Sequence, residues 1–168
     1  MVQKFKTLFF VKSSLISLYL ALTFPIPFIS SENLKIFSII TFVFGFLLII
    51  NITDDYVYIC DKKIYYKTSV ISKIFGNKNW EIIWGDIKLI KSLPTSQGSK
   101  VHYFINNKNE GFLVPQRIEN FERFISVVED KTKLNINNIS YISPLWTYKL
   151  LTYLSIFMII GEIIAFTI

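Results

Sequence analysis

Three long apolar stretches set most of what this chain can fold into. They cover residues 13–29, 36–50 and 145–168, and a mixed polar segment lies between the second and the third. A membrane-spanning helix needs ~20 apolar residues, and the flanking residues extend the first two stretches toward that length. At ~1.5 Å per residue, the third stretch gives a helix of roughly 36 Å. A pair of buried core helices is the alternative, but such helices are rarely apolar all round.

We therefore predict a transmembrane hairpin in residues 1–51, with its turn at 30–34, and a C-terminal transmembrane helix at 145–168. Lys4, Lys6 and Lys12 precede the first apolar stretch, so the positive-inside rule places the N-terminus in the cytoplasm. The polar middle is then cytoplasmic as well, and the C-terminus lies outside. The expected location is a bacterial inner membrane or a thylakoid membrane. No small-x-small cleavage site follows the first stretch, which argues against a signal peptide.

Retention of lysines on the cytoplasmic side also explains the basic balance of the chain. Lys and Arg number 18 against 12 acidic residues, which gives a formal charge of +6. We expect the lipid bilayer and a membrane protein as partners, and no nucleic acid. The sequence does not indicate an oligomeric state.

The polar middle alternates in a way that predicts β-strands. Trp80, Ile82 and Trp84 lie on one side of a strand, Gly85-Asp86 forms a turn, and the alternation then resumes from Ile87. Residues 56–60 form a continuous apolar run that also predicts a strand, which gives six strands in all, at 56–60, 64–70, 79–84, 87–93, 101–106 and 112–114. Residues 71–78 are expected to form a loop.

The period changes after the strands. Phe121, Phe124, Ile125 and Val128 are spaced i, i+3, i+4 and i+7, which predicts one apolar stripe of a helix within 119–134. We therefore expect an α+β membrane protein with a β domain at 52–134, a polar linker at 135–144 and three transmembrane helices.

These elements resemble the bacterial pleckstrin-homology-like domain family. The resemblance rests on a strand hairpin at 56–70, the sequence I-W-G-D-I at 83–87, the sequence L-V-P at 113–115 and a helix that begins near 119–121. In that family a membrane helical hairpin often precedes the domain. The resemblance implies a strongly bent antiparallel sheet, or split barrel, of about seven strands that one helix caps. Six strands are one short, and we expect the seventh at 51–55 or 93–100.

The architecture is also similar to that of the photosystem I assembly factor family of cyanobacteria and chloroplasts. That family joins two membrane helices to such a domain, and its basic stretch after an aromatic-Gly turn is similar to residues 75–79 here. This chain departs from the family in its short N-terminus, its short hairpin loop and its third membrane helix. The similarity implies a role in assembling a photosynthetic membrane complex.

One run of lysines is a candidate site for lipid headgroups. No acidic residue lies between Asp61 and Glu81, and the lysines in this interval are Lys62, Lys63, Lys67, Lys73 and Lys78. Early hairpin loops of eukaryotic pleckstrin domains bind phosphoinositides, and each Lys near an anionic surface contributes about 1 kcal/mol of attraction. The alternative is a solvated basic face that merely obeys the orientation rule.

The remaining candidates are single residues or aromatic groups. Glu162 lies inside the last apolar stretch, where a carboxylate is a functional candidate unless it reaches the far headgroups. Trp80, Trp84, Tyr65 and Tyr66 could line a pocket, although core packing is the expected role. We expect a structural role for His102 and a buried apolar role for Cys60. Because Cys60 is the single cysteine of the sequence, an internal disulfide is ruled out.

No catalytic constellation, metal site or cofactor motif is apparent, so we expect a non-enzymatic protein without cofactors. The leading hypothesis is an adaptor or assembly factor for a membrane protein complex. The second hypothesis is a sensor of anionic lipid headgroups. The third is a small subunit of a membrane enzyme or transporter, centred on Glu162.

Overall fold

The computed structural model describes residues 2–136 and 139–168, which form two compact units. The β unit contains the described residues of 1–8 and 54–144. The helical unit contains residues 9–53 and 145–168. Residues 2–8 are therefore grouped with the β unit rather than with the hairpin that follows them.

Seven antiparallel strands of the β unit form two open sheets. The first sheet has the order β1 (Gln3–Lys6), β2 (Tyr56–Ile59), β3 (Lys63–Lys67) and β4 (Trp80–Ile83). The second sheet has the order β5 (Ile87–Pro94), β6 (Lys100–Asn106) and β7 (Gly111–Leu113). The six predicted strands are confirmed, with bounds that differ by a few residues.

The seventh strand lies at the N-terminus, so its prediction at 51–55 or 93–100 was wrong. In β1 the buried Phe5 is flanked by exposed Lys4 and Lys6. In the sequence, these four residues with two lysines look like the charged flank of a membrane helix. They form a strand because they pair with β2, which follows about fifty residues later in the chain. Residues 51–52 instead complete a helix, and residues 93–94 complete β5.

The connection from β3 to β4 contains a short helix, α4 (Val70–Ile74), where the sequence predicted a loop. The Ser69 hydroxyl accepts a hydrogen bond from the Ser72 backbone N–H at 3.0 Å, which caps the first turn of α4. Gly76 follows with a φ of +90°, a conformation that glycine adopts without strain. The predicted turn at Gly76-Asn77 therefore ends a helix rather than interrupting a loop.

A single turn of 3₁₀-helix (Trp84–Asp86) carries the chain from the first sheet to the second. The predicted Gly85-Asp86 turn is confirmed. Trp84 is buried there, and its indole N–H donates to the carbonyl of Cys60 at 2.9 Å. This hydrogen bond ties the crossover to the β2–β3 turn.

The helix α5 (Phe121–Thr132) packs on the core of the β unit. Its four predicted apolar side chains are all buried, which confirms the helical stripe. The ring of Phe124 meets the ring of Phe5 edge-on, with centroids 5.6 Å apart. The N-terminal strand is therefore part of the same hydrophobic core as α5.

The helical unit contains three helices that are long and apolar enough to cross a membrane, at Phe9–Ile29, Glu32–Ile52 and Leu145–Thr167. The first of these spans comprises α1 (Phe9–Thr23) and the short α2 (Ile26–Ile29); the others are α3 (Glu32–Ile52) and α6 (Leu145–Thr167). The chain turns between α2 and α3 at Ser30-Ser31, within the predicted turn.

Small residues occupy the buried positions of α1 and α6, which pack extensively on each other. The buried residues are Val11, Ser14, Ser17 and Ala21 in α1, and Thr152 and Ser155 in α6. On α3, Gly45 leaves room for Tyr19, since a Cβ there would overlap the Tyr19 hydroxyl. That hydroxyl donates to the carbonyl of Phe42 at 2.7 Å. Side chains of this size let helices approach closely.

Candidate functional site

The five predicted headgroup lysines do not form one cluster. Lys62 and Lys63 lie at the β2–β3 turn, whereas Lys67 ends β3 and Lys73 and Lys78 belong to the connection that follows it. The Lys63 ammonium forms an ion pair with Glu81 at 2.7 Å, and this hydrogen bond raises the pKa of Lys63. The lysines at the end of β3 and beyond are therefore a separate group.

The outward face of the first sheet carries tyrosines and lysines in two rows. Strand register places Lys4, Tyr58 and Tyr65 side by side. The next row on the same face contains Lys6, Tyr56 and Lys67. We call these six residues the lysine–tyrosine face.

Cation–π and ring contacts hold this face together. The Lys4 Nζ lies 4.1 Å from the ring centroid of Tyr56 and 5.4 Å from that of Tyr58. The Lys67 Nζ lies 5.6 Å from the Tyr56 centroid, and hydrogen bonding to the Tyr56 side chain raises the pKa of Lys67. Tyr58 stacks on Tyr65 at 5.2 Å. These contacts join the half-exposed rings and two of the lysines in one array.

Sequence reasoning found only part of the lysine–tyrosine face. Lys4 and Lys6 were interpreted as orientation signals, and Tyr56 and Tyr58 as part of a continuous apolar strand. The alternations K-F-K at 4–6 and Y-V-Y-I at 56–59 were the available signal, because period two puts these residues on one face. What the sequence did not supply was the pairing of two strands separated by α1 and α3.

Asp55 joins three segments at one end of the first sheet. One carboxylate oxygen accepts the Tyr66 hydroxyl at 2.7 Å, and the other accepts the Ser69 backbone N–H at 2.8 Å. The Asp55 carbonyl also accepts the backbone N–H of Thr7 at 3.2 Å and its hydroxyl at 2.9 Å. Burial, followed by the hydrogen bond to Asp55, raises the pKa of Tyr66. Asp55 therefore fixes the start of the α4 connection next to the end of β1.

The α4 connection exposes apolar side chains to solvent. Val70, Ile74 and Phe75 are 70%, 78% and 72% exposed. The Asn79 side chain closes the connection by accepting the backbone N–H of Thr68 at 3.0 Å. Three large apolar side chains exposed on a closed, hydrogen-bonded segment make this connection a candidate interaction surface.

The aromatic residues that were candidates for a pocket divide between the core and the outer face. Trp84 is buried, Trp80 packs on the core, and Tyr66 stacks on Trp80 at 5.8 Å. The expected core role is thus confirmed for these three residues. Tyr65 instead points outward, as part of the lysine–tyrosine face.

His102 is fully buried in β6. Its Nδ1 lies 2.8 Å from the Ser92 hydroxyl, and its Nε2 has no hydrogen-bond partner among the described residues. Burial, and then the nearby Lys100, lower the pKa of His102. A neutral imidazole next to one hydroxyl, without a carboxylate among its hydrogen-bond partners, fits the structural role that the sequence predicted.

Glu162 lies in the last third of α6, one turn before Phe166. The Phe166 ring stacks on Phe28 of α2 with centroids 5.1 Å apart. The Oε2 atom of Glu162 is buried and has no hydrogen-bond partner within the described part of the chain. This carboxylate remains a candidate functional group of the helical unit.

Metal-ligand residues do not cluster in the described part of the chain. No group of three or more His, Cys, Asp or Glu among them could hold a metal ion. An open cleft of about 330 Å³ lies between β1 and the start of α5. Its charged lining residues are Lys4, Lys6, Glu119 and Arg123.

Comparisons with known proteins give one curated relative and no family assignment. The chain is 26% identical over 147 residues to the uncharacterized protein slr0269 of Synechocystis sp. (strain PCC 6803). The alignment covers 84% of this chain and 74% of the relative. No family model matches the chain. The likeness therefore extends over both units and assigns no activity.

Proposed function

We propose that this protein is a membrane-anchored, non-enzymatic adaptor that helps a membrane protein complex assemble. Its lysine–tyrosine face binds an acidic segment of a partner membrane protein. The observation that carries this proposal is an array of cations and rings: Lys4 lies over Tyr56 and Tyr58, and Tyr58 stacks on Tyr65. Lys67 lies over Tyr56 from the other side of the row.

The composition of the face favours an acidic protein segment. Tyrosine supplies a large contact area at small cost in conformational entropy, and interface hot spots are enriched in it. Glu81 lies on this face and is paired with Lys63. Glu119, which shares a cleft with Lys4 and Lys6, has Arg123 in the same cleft. The net positive charge of the face therefore steers association with an anionic partner.

Membrane anchoring is supported by the three apolar helices and by strand pairing. β1 precedes α1 and β2 follows α3, yet these two strands are hydrogen-bonded neighbours. Residues 6 and 56 therefore lie on the same side of any membrane that the hairpin crosses. The N-terminal lysines favour the cytoplasmic side for the β unit, which leaves the C-terminus outside.

For the β unit we propose a pleckstrin-like fold. Seven strands in a four-plus-three arrangement, followed by one packed helix, support this proposal. Similarity to a cyanobacterial protein supports a thylakoid or bacterial inner membrane as the location.

Affinity capture of the full chain in mild detergent tests the adaptor role. Wild type should retain a defined membrane protein, and the double variant Lys4→Glu, Lys67→Glu should lose it because the charge of the face reverses. Lys91→Glu, Lys108→Glu is the matched control, since both residues are exposed and belong to the second sheet or its β6–β7 turn. Equal capture by all three proteins would refute the proposal.

Anionic lipid is the second candidate ligand, favoured by Lys67, Lys73 and Lys78 at one end of the sheet. Lipid that co-purifies with the protein, identified by mass spectrometry, should then be anionic, and Lys73→Glu, Lys78→Glu should remove it. A fragment of residues 52–134 is unsuitable for this test because it lacks β1 and the core residue Phe5.

The third candidate, a subunit of a membrane enzyme or transporter, depends on Glu162. The observation that favours it is a carboxylate oxygen with no hydrogen-bond partner among the residues that the structure describes. An unchanged phenotype for Glu162→Gln, in cells that depend on the protein, would dismiss this candidate.

A further inference from the structure

Val70, Ile74 and Phe75 form an apolar surface whose exposure the adaptor role does not explain. We call these three residues and the lysines beside them, Lys73 and Lys78, the α4 tip. Each of the three apolar side chains is at least 70% exposed, whereas the core residues of the same unit are almost inaccessible. An exposed apolar cluster rimmed by charge marks an interaction site.

Strand register places the α4 tip at the end of the first sheet where the chain also connects to α1 and α3. Lys6, Tyr56 and Lys67 are direct cross-strand neighbours, and they are the last residue of β1, the first of β2 and the last of β3. The chain therefore leaves for α1, returns from α3 and departs for α4 at the same end of the sheet. Three residues or fewer separate each strand from its helix, which limits each link to roughly 15 Å.

Hydrogen bonds hold the α4 tip at that end. Asp55, in the link from α3, accepts the backbone N–H of Ser69, and its carbonyl accepts Thr7 in the link to α1. The Ser69 cap and the closure by Asn79 fix the helix itself. The three apolar side chains are thus presented on a rigid support.

The charges around the tip select an anionic lipid interface as its occupant. From Lys62 to Trp80 the chain contains no acidic residue, and Lys73 and Lys78 lie among and beside the apolar side chains. Apolar side chains that enter the headgroup boundary, with lysines that attract anionic lipid, are the features of interfacial membrane contacts. A soluble acidic partner would account for the lysines but would leave Phe75 and Ile74 in water.

We propose that the α4 tip is an additional, non-spanning membrane contact. Val70, Ile74 and Phe75 enter the interfacial layer of the same bilayer that α1, α3 and α6 cross, and Lys73 and Lys78 contact anionic headgroups. The contact rests on the proposed membrane anchoring, and it holds the β unit against the membrane in a fixed orientation. It leaves the lysine–tyrosine face to the protein partner.

Site-specific fluorescence in nanodiscs that contain anionic lipid tests this contact in the full chain. Replacement of Cys60, the single cysteine, by serine gives a cysteine-free background in which Phe75→Cys is labelled with an environment-sensitive dye. Leu47→Cys, on an exposed position of α3, reports membrane insertion itself. Lys62→Cys, at the opposite end of β3 from α4, is the control for a water-exposed position.

At Phe75 we expect emission at shorter wavelength than at Lys62, quenching by nitroxide lipids and loss of quenching by aqueous iodide. A dye at Phe75 that behaves like the dye at Lys62, while the dye at Leu47 reports hydrocarbon, would overturn the α4 contact alone. A dye at Leu47 that remains in water would instead overturn the membrane anchoring on which the contact rests.

Discussion

Replacing Asp55 by alanine should destabilise the β unit more than any other substitution of a single acid that we describe. Two donors, the Tyr66 hydroxyl and the Ser69 N–H, lose their acceptor, and both lie in buried or half-buried positions. A buried donor left unsatisfied costs about 1–3 kcal/mol. Because Tyr66 is partly exposed, water can satisfy part of its lost hydrogen bond. For the two donors together we therefore expect a loss of about 2–4 kcal/mol in the free energy of unfolding.

Urea unfolding of the full chain in detergent measures this loss, with tryptophan fluorescence as the signal because Trp80 stacks on Tyr66. Tyr66→Phe should cost less, about 1 kcal/mol, since the carboxylate keeps the Ser69 N–H. Asp86→Ala is the matched control: this exposed carboxylate lies in a turn, and we expect a change within about 0.5 kcal/mol. Equal midpoints for Asp55→Ala and Asp86→Ala would refute the reasoning.

Three further predictions follow from the core and from the helical unit. Phe124→Ala should cost about 3–5 kcal/mol in the free energy of unfolding, measured in the same urea experiment, because it opens a cavity between β1 and α5. In wild type the free energy of unfolding should fall as pH decreases below about 6.5, because the unfolded chain binds a proton that the buried His102 does not. His102→Leu should flatten this part of the pH profile, and an unchanged slope would contradict the assignment. Gly45→Leu should lower the midpoint of thermal unfolding of the helices, followed by circular dichroism, because the new side chain overlaps Tyr19. Gly161→Leu has open space around its Cβ and should leave that midpoint unchanged.

Sequence periodicity was sufficient to predict an element wherever apolar residues recur at the spacing of a strand or a helix and form one buried face. The strand that contains Trp80 and Ile82 and the helix that buries Phe124 and Val128 were both predicted, because one face of each must be apolar to reach the core. The apolar helices were predicted for the same reason, since length and composition suffice to identify them.

Contacts between distant parts of the chain could not be predicted in this way. β1 is four residues long, and its register with β2 decides that Lys4 lies over Tyr56. The Asp55 hydrogen bonds join residues 7, 66 and 69, and no local pattern indicates such a junction. The lysine–tyrosine face and the α4 tip both depend on these long-range pairings, so the sequence indicated their residue types but not their arrangement.

Pairing of β1 with β2 also imposes an order on biosynthesis. Gln3–Lys6 leaves the ribosome before the α1–α3 hairpin, but Tyr56–Ile59 follows only after the whole hairpin has been made. β1 therefore stays without β2 during translation of the hairpin, and the hydrophobic core around Phe5 closes only afterwards. A nascent chain truncated before Tyr56 leaves β1 without its neighbour, so the first sheet is complete only once the whole hairpin has been synthesised.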